Sequence, residues 1–191
     1  MKLKLIAAAT AMVATSAFAL PPSAVITDDN MVFVSGATAQ NNGIRDYFRF
    51  NICTPGTFDS YSDADGDHLG WTCNDGTDNV AVYKESDTGS IAGVVPVAQQ
   101  TTLPRLVISN ASCGADQAGS DNSYTCTITA NHKPILGASD VEPAMFDAIV
   151  NGGPLPAGTV AALTAAGQSQ LIFGVPVNEH LYKALQKAQG L

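Results

Sequence analysis

Three short apolar runs of the chain are each followed directly by a loop of small and polar residues. A continuous apolar run is typical of a strand that is buried on both faces of a parallel sheet. Glycine, serine and threonine in the loops allow close backbone approach and offer hydroxyl donors. The predicted strands are residues 31–34, 79–84 and 135–136, and their loops are residues 35–39, 86–94 and 137–140.

Two of these loops lead into a helical pattern. Residues 40–50 place Ile44, Tyr47 and Phe48 on one face. After the third loop, Asp140 is a suitable N-cap residue, and a proline follows it within the first turn. Strand, loop and helix in this order predict an α/β fold, with a mainly parallel sheet, flanking helices and ligand contacts at the carboxyl ends of the strands.

The second half of the chain gives shorter patterns. Residues 103–109 read as a strand or a linker, and residues 125–130 read as an edge strand that forms a hairpin across the loop between them. Residues 159–166 predict a short Ala-rich helix, and residues 171–177 a further strand. Asn178 would then cap a last helix.

The first residues have the pattern of a secretory signal peptide. Lys2 and Lys4 precede an apolar run that ends in an A-x-A cleavage site, so we expect residues 1–19 to be removed after Ala19. The domain is then residues 20–191. Cleavage removes two of the nine basic residues and none of the 17 acidic ones, so the formal charge falls from −8 to −10.

This acidic charge argues against nucleic acid or an anionic membrane as a partner, because both attract clustered Lys and Arg. No other stretch of the sequence is long and apolar enough to cross a bilayer. We therefore expect a periplasmic or secreted bacterial protein without a transmembrane segment after cleavage.

Four cysteines in an exported chain predict two disulfides. Three pairings are open, and proximity in sequence favours Cys53 with Cys73 and Cys113 with Cys126. Zinc is not expected, because the chain has no C-x-x-C pair and only three histidines. The first pair would close an acidic insertion near residues 53–73.

That insertion contains a partial calcium motif. Asp63, Asp65 and Asp67 alternate as the first ligands of a calcium loop do. The match ends there, because His68 replaces the glycine of the turn and Asn74 replaces the bidentate glutamate. A solvated acidic loop tied by a disulfide is the other interpretation, and we expect no metal as a resident cofactor.

A small-residue loop that enters a helix N-terminus gathers free N–H groups and the positive end of the helix dipole at one point. The third loop therefore predicts an anion site in outline. An ordinary capped turn between a strand and a helix would give the same pattern.

The order of the motifs resembles the bacterial periplasmic phosphate-binding proteins of ABC importers, in the type II substrate-binding protein superfamily. The resemblance rests on G-A-T at residues 36–38, on residues 83–94, on residues 135–143 and on the apolar strand with V-N at residues 173–178. The chain is also similar to a divergent exported group that shares the motifs S-G-A-T-A-Q and S-D-V-E-P.

The resemblance implies that Thr38, Ser90 and Asp140 contact phosphate, with the Ser139 hydroxyl and backbone amides such as that of Ala37 as further donors. The family's aspartate accepts a hydrogen bond from a protonated phosphate oxygen, which excludes sulfate. This role for Asp140 competes with its role as an N-cap.

The resemblance also implies an ABC permease as partner and no cofactor. Members of the family have a second lobe that supplies an arginine and further hydroxyl donors, so this sequence is expected to give one lobe of the type II fold, either as a fragment or as a one-lobed relative. The acidic insertion, and Ile91-Ala92 in place of S-G in the second loop, depart from the family pattern.

No enzyme is expected, because the chain contains no G-x-S-x-G, H-E-x-x-H or Walker motif. The alternative to an oxyanion binder is a secreted structural or interaction domain that keeps the fold without the ligand.

Overall fold

The computed structural model describes residues 21–24, 26–114, 123–146 and 159–167, together with residues 183, 186 and 187. The predicted signal peptide and the strand predicted at residues 171–177 lie outside these residues. Within the described part of the chain, no helix is long and apolar enough to span a membrane.

Eight strands and three short α-helices are described. The strands are β1 (Met31–Gly36), β2 (Asp59–Ser62), β3 (His68–Asn74), β4 (Asn79–Glu85), β5 (Leu103–Leu106), β6 (Ser123–Thr125), β7 (Thr129–His132) and β8 (Leu136–Ala138). The α-helices are α1 (Asn41–Tyr47), α2 (Val95–Gln99) and α3 (Asn110–Cys113). Single turns of 3₁₀-helix lie at Asp28–Asn30, Thr38–Gln40, Gly89–Gly93, Pro143–Phe146 and Val160–Ala162, and Phe48–Ile52 forms a π-helical turn.

Six strands form one sheet in the order β6-β2-β3-β4-β1-β8. β1 is parallel to both β4 and β8, and β2 is parallel to β6. Only β3 runs against its neighbours, so five of the six strands share one direction. The prediction of an α/β fold with a mainly parallel sheet is confirmed, although the described helices are few and short.

The region around the first disulfide differs from its prediction. We expected a solvated acidic loop, and the chain instead forms β2 and β3 inside the sheet. Tyr61 and Trp71 are 0% and 2% exposed in these strands, so the region contributes two large apolar side chains to the core. Most of the acidic residues lie in the two turns that flank β3, so the acidic composition of the region does not indicate the strands between them.

The helix predicted at residues 40–50 is a run of three helical types from Thr38 to Ile52. Phe48 is buried as predicted, but Tyr47 is 64% exposed, so the apolar face is narrower than the sequence suggested. The helix predicted at residues 159–166 is also wrong, because only the 3₁₀ turn Val160–Ala162 forms there.

Two apolar clusters pack against the sheet. Since side chains alternate along a strand, Tyr83 joins one cluster and Val82 the other, on the opposite face of β4. The first cluster contains Phe33, Tyr61, Ala81, Tyr83, Leu106, Cys113, Tyr124 and Cys126, and the second contains Phe48, Phe58, Trp71 and Cys73.

Each cluster includes a disulfide. Cys53 is bonded to Cys73, and Cys113 to Cys126, which is the pairing that proximity favoured. β5 and β7 pair antiparallel across the second disulfide loop, as predicted with other bounds, but they do not form a simple hairpin because β6, which lies between them in the chain, joins the six-stranded sheet. Two disulfides are typical of a protein that folds in an oxidising compartment.

Candidate functional site

The three predicted small-residue loops meet at one edge of the sheet. β4, β1 and β8 are parallel neighbours, and Ser35 lies between Glu85 on one side and Gly137 on the other. The carboxyl ends of the three strands are therefore adjacent, as the sequence predicts for a ligand site in a parallel sheet.

The loops pack backbone against backbone through three glycines. A Cβ atom at Gly36 or Gly93 would collide with the carbonyl oxygen of Ala138, and one at Gly137 would collide with the carbonyl oxygen of Gly93. Gly36 also has φ +111°, a conformation that residues with side chains rarely adopt. These glycines are what allow the three loops to approach.

Two predicted site residues are in direct contact. The hydroxyl of Ser90 in the second loop donates a hydrogen bond to the carboxylate Oδ1 of Asp140 in the third loop. The 3₁₀ turn that follows begins at Pro143, so Asp140 does not occupy its N-cap position. Asp140 therefore bridges two loops, and the N-cap interpretation is wrong for this turn.

Of the other predicted site residues, Ala37 and Ser139 already have hydrogen-bond partners within the protein, whereas Thr38 is exposed. The backbone N–H of Ala37 donates to the carbonyl of Ala138 at 2.8 Å, and the Ala37 side chain is buried. The Ser139 hydroxyl donates to the Val141 carbonyl at 2.6 Å and accepts from the Val141 amide at 3.1 Å. Thr38 is exposed at the start of the first helical run, where the leading N–H groups have no partner within the helix.

A buried lysine, which the sequence reasoning missed, lies at the same edge. Lys84 is 1% exposed, and its ammonium donates to the carbonyl of Gly36 at 2.6 Å, to its neighbour Glu85's carbonyl at 2.7 Å and to the hydroxyl of Ser86 at 3.0 Å. Ser86 in turn donates to the side-chain oxygen of Asn41, at the start of α1, at 3.1 Å. The burial of Lys84 could have been predicted from the alternation of side chains along β4, because Lys84 lies on the same face of the strand as the apolar Val82.

Burial affects both charged residues at the end of β4. Burial lowers the pKa of Lys84 to about 8, although the nearby Glu85 charge opposes this shift. Burial also raises the pKa of Glu85, against the opposing effects of the Asp87 amide, which donates to Oε1 at 2.8 Å, and of Lys84. Within the described part of the chain, Oε2 of Glu85 is buried without a hydrogen-bond partner.

The lowered pKa of Lys84 predicts that the stability of the protein depends on pH. Between about pH 8 and the pKa of an unfolded lysine near 10.5, the unfolded chain binds more protons, so the free energy of unfolding rises with pH. Between pH 7 and pH 10, we expect the free energy of unfolding of wild type to rise by about 2 kcal/mol more than that of Lys84→Met. Urea unfolding at both pH values measures this difference.

Lys133→Met is the matched control, because Lys133 is exposed and its replacement removes the same charge. If the difference in free energy of unfolding between wild type and Lys84→Met is the same at pH 7 and pH 10, the prediction is wrong.

The calcium candidates are not arranged as a ligand set. Oδ1 of Asp63 accepts hydrogen bonds from the backbone amides of Gly66, Asp67 and His68 at 2.8, 3.0 and 3.2 Å, and Oδ2 contacts His68 Nδ1 at 2.5 Å. Both oxygens of Asp63 thus stabilise the β2–β3 turn, and Asp65 is exposed. Nowhere in the described ranges do three His, Cys, Asp or Glu side chains form a group that could hold a metal ion.

The pKa of Asp63 reflects these contacts. Partial burial alone would raise this pKa, but hydrogen bonds from the His68 side chain and from backbone amides outweigh burial and hold the pKa below its usual range. The carboxylate therefore acts as a fixed acceptor of the turn.

Comparison of the chain with models of protein families, with characterised proteins and with solved structures finds no match. The chemistry of the edge has to follow from its own groups. It offers hydroxyl donors at Thr38 and Ser90, a carboxylate acceptor at Asp140 and a buried ammonium at Lys84.

Proposed function

We propose that the chain is an exported, solute-binding-protein-like domain that binds a small oxyanion, above all phosphate, where β4, β1 and β8 end. The observation that carries the proposal is the contact of Ser90 with Asp140, which joins two loops that are 50 residues apart in sequence. A donor and an acceptor are thereby placed side by side at the carboxyl edge of a parallel sheet, where ligands of open α/β folds bind.

The two groups suit a partly protonated oxyanion. Thr38 and Ser90 provide O–H donors, while an ionised Asp140 only accepts hydrogen bonds. Phosphate near neutral pH keeps a proton on one oxygen and can donate to Asp140, whereas sulfate carries no such proton. Asp140 therefore selects phosphate over sulfate.

Binding requires one local change. The Ser90 hydroxyl, which donates to Asp140 in the free protein, rotates towards an oxygen of the anion, and the proton of the anion takes its place on Asp140. The number of hydrogen bonds on the carboxylate is conserved in this exchange, so Asp140, which is exposed, does not lose an interaction.

The proposal includes an ABC permease as the partner that receives the bound anion. An exported location is supported by the two disulfides and by the sequence pattern of residues 1–19.

Isothermal titration of the protein recovered after export, first with phosphate and then with sulfate, tests the proposal. We expect phosphate binding, little heat with sulfate, and an affinity for phosphate that falls about tenfold or more in Asp140→Asn, because a hydrogen bond to a charged group is lost. Asp65→Asn is the matched control, since it removes the same charge at an exposed turn and should bind as wild type does.

A secreted structural or interaction domain is the second candidate. It is favoured by the internal partners of the Ala37 amide and of the Ser90 and Ser139 hydroxyls, because groups that are already paired bind a ligand less readily. Folded protein that gives no heat with either anion would overturn the binding proposal in favour of this one.

A further inference from the structure

The ammonium of Lys84 is surrounded by neutral acceptors. Two of its three hydrogen bonds go to backbone carbonyls, those of Gly36 and Glu85, and the third goes to the hydroxyl of Ser86. Among the described residues, no carboxylate forms an ion pair with Lys84. A buried ammonium without a counter-ion is unfavourable, because its loss of hydration is repaid only in part by neutral acceptors.

The nearest carboxylate in sequence forms no ion pair with Lys84. Glu85 is the next residue of β4, so its side chain projects from the opposite face of the sheet. Glu85 is itself 2% exposed, and burial favours its uncharged form. Among the described residues, no ion pair therefore compensates the positive charge of Lys84 at the edge where the three loops meet.

The three hydrogen bonds tie together the segments that form the proposed site. Gly36 lies in the first loop, and Ser86 begins the second loop and contacts Asn41 at the start of α1. A second tie lies nearby, since the buried hydroxyl of Ser35 donates to the carbonyl of Ala92 at 2.6 Å. Lys84 thus fixes the position of the first loop relative to the second.

We propose that Lys84 is the positioning residue of the oxyanion site, which holds the first two loops together and supplies the positive charge that a bound phosphate neutralises. The inference rests on the proposed function for its ligand, but the role of Lys84 in holding the loops can be measured without one. Lys84 does not touch the anion in this account, and it acts through the loops and through its charge.

Lys84→Met removes the ammonium and keeps most of the side-chain length, and Lys133→Met is the control at an exposed lysine. Phosphate titration at pH 7 should show an affinity about tenfold or more lower in Lys84→Met, since the positive charge at this edge and its hold on the two loops are lost, and unchanged in Lys133→Met. In the absence of an anion, hydrogen exchange in residues 36–41 and 86–92 should be faster in Lys84→Met than in wild type, and unchanged in Lys133→Met.

If Lys84 only held the loops together, its titration would not change when the anion binds. We therefore expect the titration of Lys84, followed by NMR of its labelled side chain, to move to higher pH when phosphate is added and to stay in place with sulfate. The other titratable groups of neighbouring segments at this edge include Glu85, Asp67, His68, Asp87 and Asp140, and their titrations are recorded in the same series.

The outcomes separate the two proposals. Wild type that binds phosphate together with Lys84→Met that binds equally well would overturn the inference and leave the proposed function standing. Wild type that binds no phosphate would overturn the proposed function and the charge role of Lys84, and unchanged hydrogen exchange in Lys84→Met would overturn the role in holding the loops.

A second variant covers the case in which Lys84→Met does not fold. Ser86→Ala removes one of the three acceptors and keeps the ammonium. We expect faster exchange in residues 86–92 with an affinity for phosphate within about threefold of wild type, because the charge remains. An affinity that falls as far as expected for Lys84→Met would contradict the charge role.

Discussion

Replacing Gly93 with alanine is expected to lower the free energy of unfolding by about 3 kcal/mol or more, or to prevent folding. The new Cβ would overlap the carbonyl oxygen of Ala138 and lie 2.7 Å from its carbonyl carbon and 3.0 Å from its nitrogen. All three are backbone atoms of β8, so no flexible side chain can move aside. The substitution therefore forces the second and third loops apart.

Gly43→Ala is the matched control for this prediction. Gly43 lies in α1, and a Cβ there has no neighbour within 4 Å. Because glycine is unfavourable inside a helix, this change should raise stability by about 0.5–1 kcal/mol. Urea unfolding of both variants measures the contrast, and Gly93→Ala with wild-type stability would show that the loops do not pack as described.

Loss of the Cys53–Cys73 disulfide is the second large effect. The bond closes a loop with a sequence separation of 20 and connects the end of the first helical run to β3. The chain entropy released in the unfolded state alone predicts a loss of about 3 kcal/mol in the Cys53→Ala, Cys73→Ala double variant. Since Cys73 is fully buried beside Trp71 and Phe58, the lost packing adds to this loss.

Removal of Cys113–Cys126 provides the comparison for the same experiment. Its sequence separation is 13, so the entropy model predicts a contribution only about 0.4 kcal/mol smaller. Thermal unfolding of the two double variants should therefore show comparable losses. A Cys53–Cys73 variant within 1 kcal/mol of wild type would contradict the prediction, because the entropic loss alone exceeds that value.

The strand ends could be predicted from the sequence because each depends on a local pattern. The continuous apolar run of β1 and the small residues after it indicate a parallel strand and its loop without reference to the rest of the chain. The parallel direction of β4, β1 and β8 then brings the three loops together.

The parts that were missed depend on residues distant in sequence. β2 and β3 were hidden by acidic residues in their turns, and only their neighbours in the sheet explain why Tyr61 and Trp71 are buried. The partners of Lys84 and the close approach of Gly36 to Ala138 are likewise contacts between segments. A pattern read along one segment does not contain them.

The sheet order also sets the order in which the site can assemble. β1 is the first strand among the described residues, yet its two partners, β4 and β8, pair with it through residues about 50 and 100 positions later. Contacts this distant in sequence form slowly, since a long loop must close before any pairing energy is gained. The first described strand therefore gains its second neighbour only after β8 has been synthesised, and until then the edge that β8 covers stays open to wrong partners.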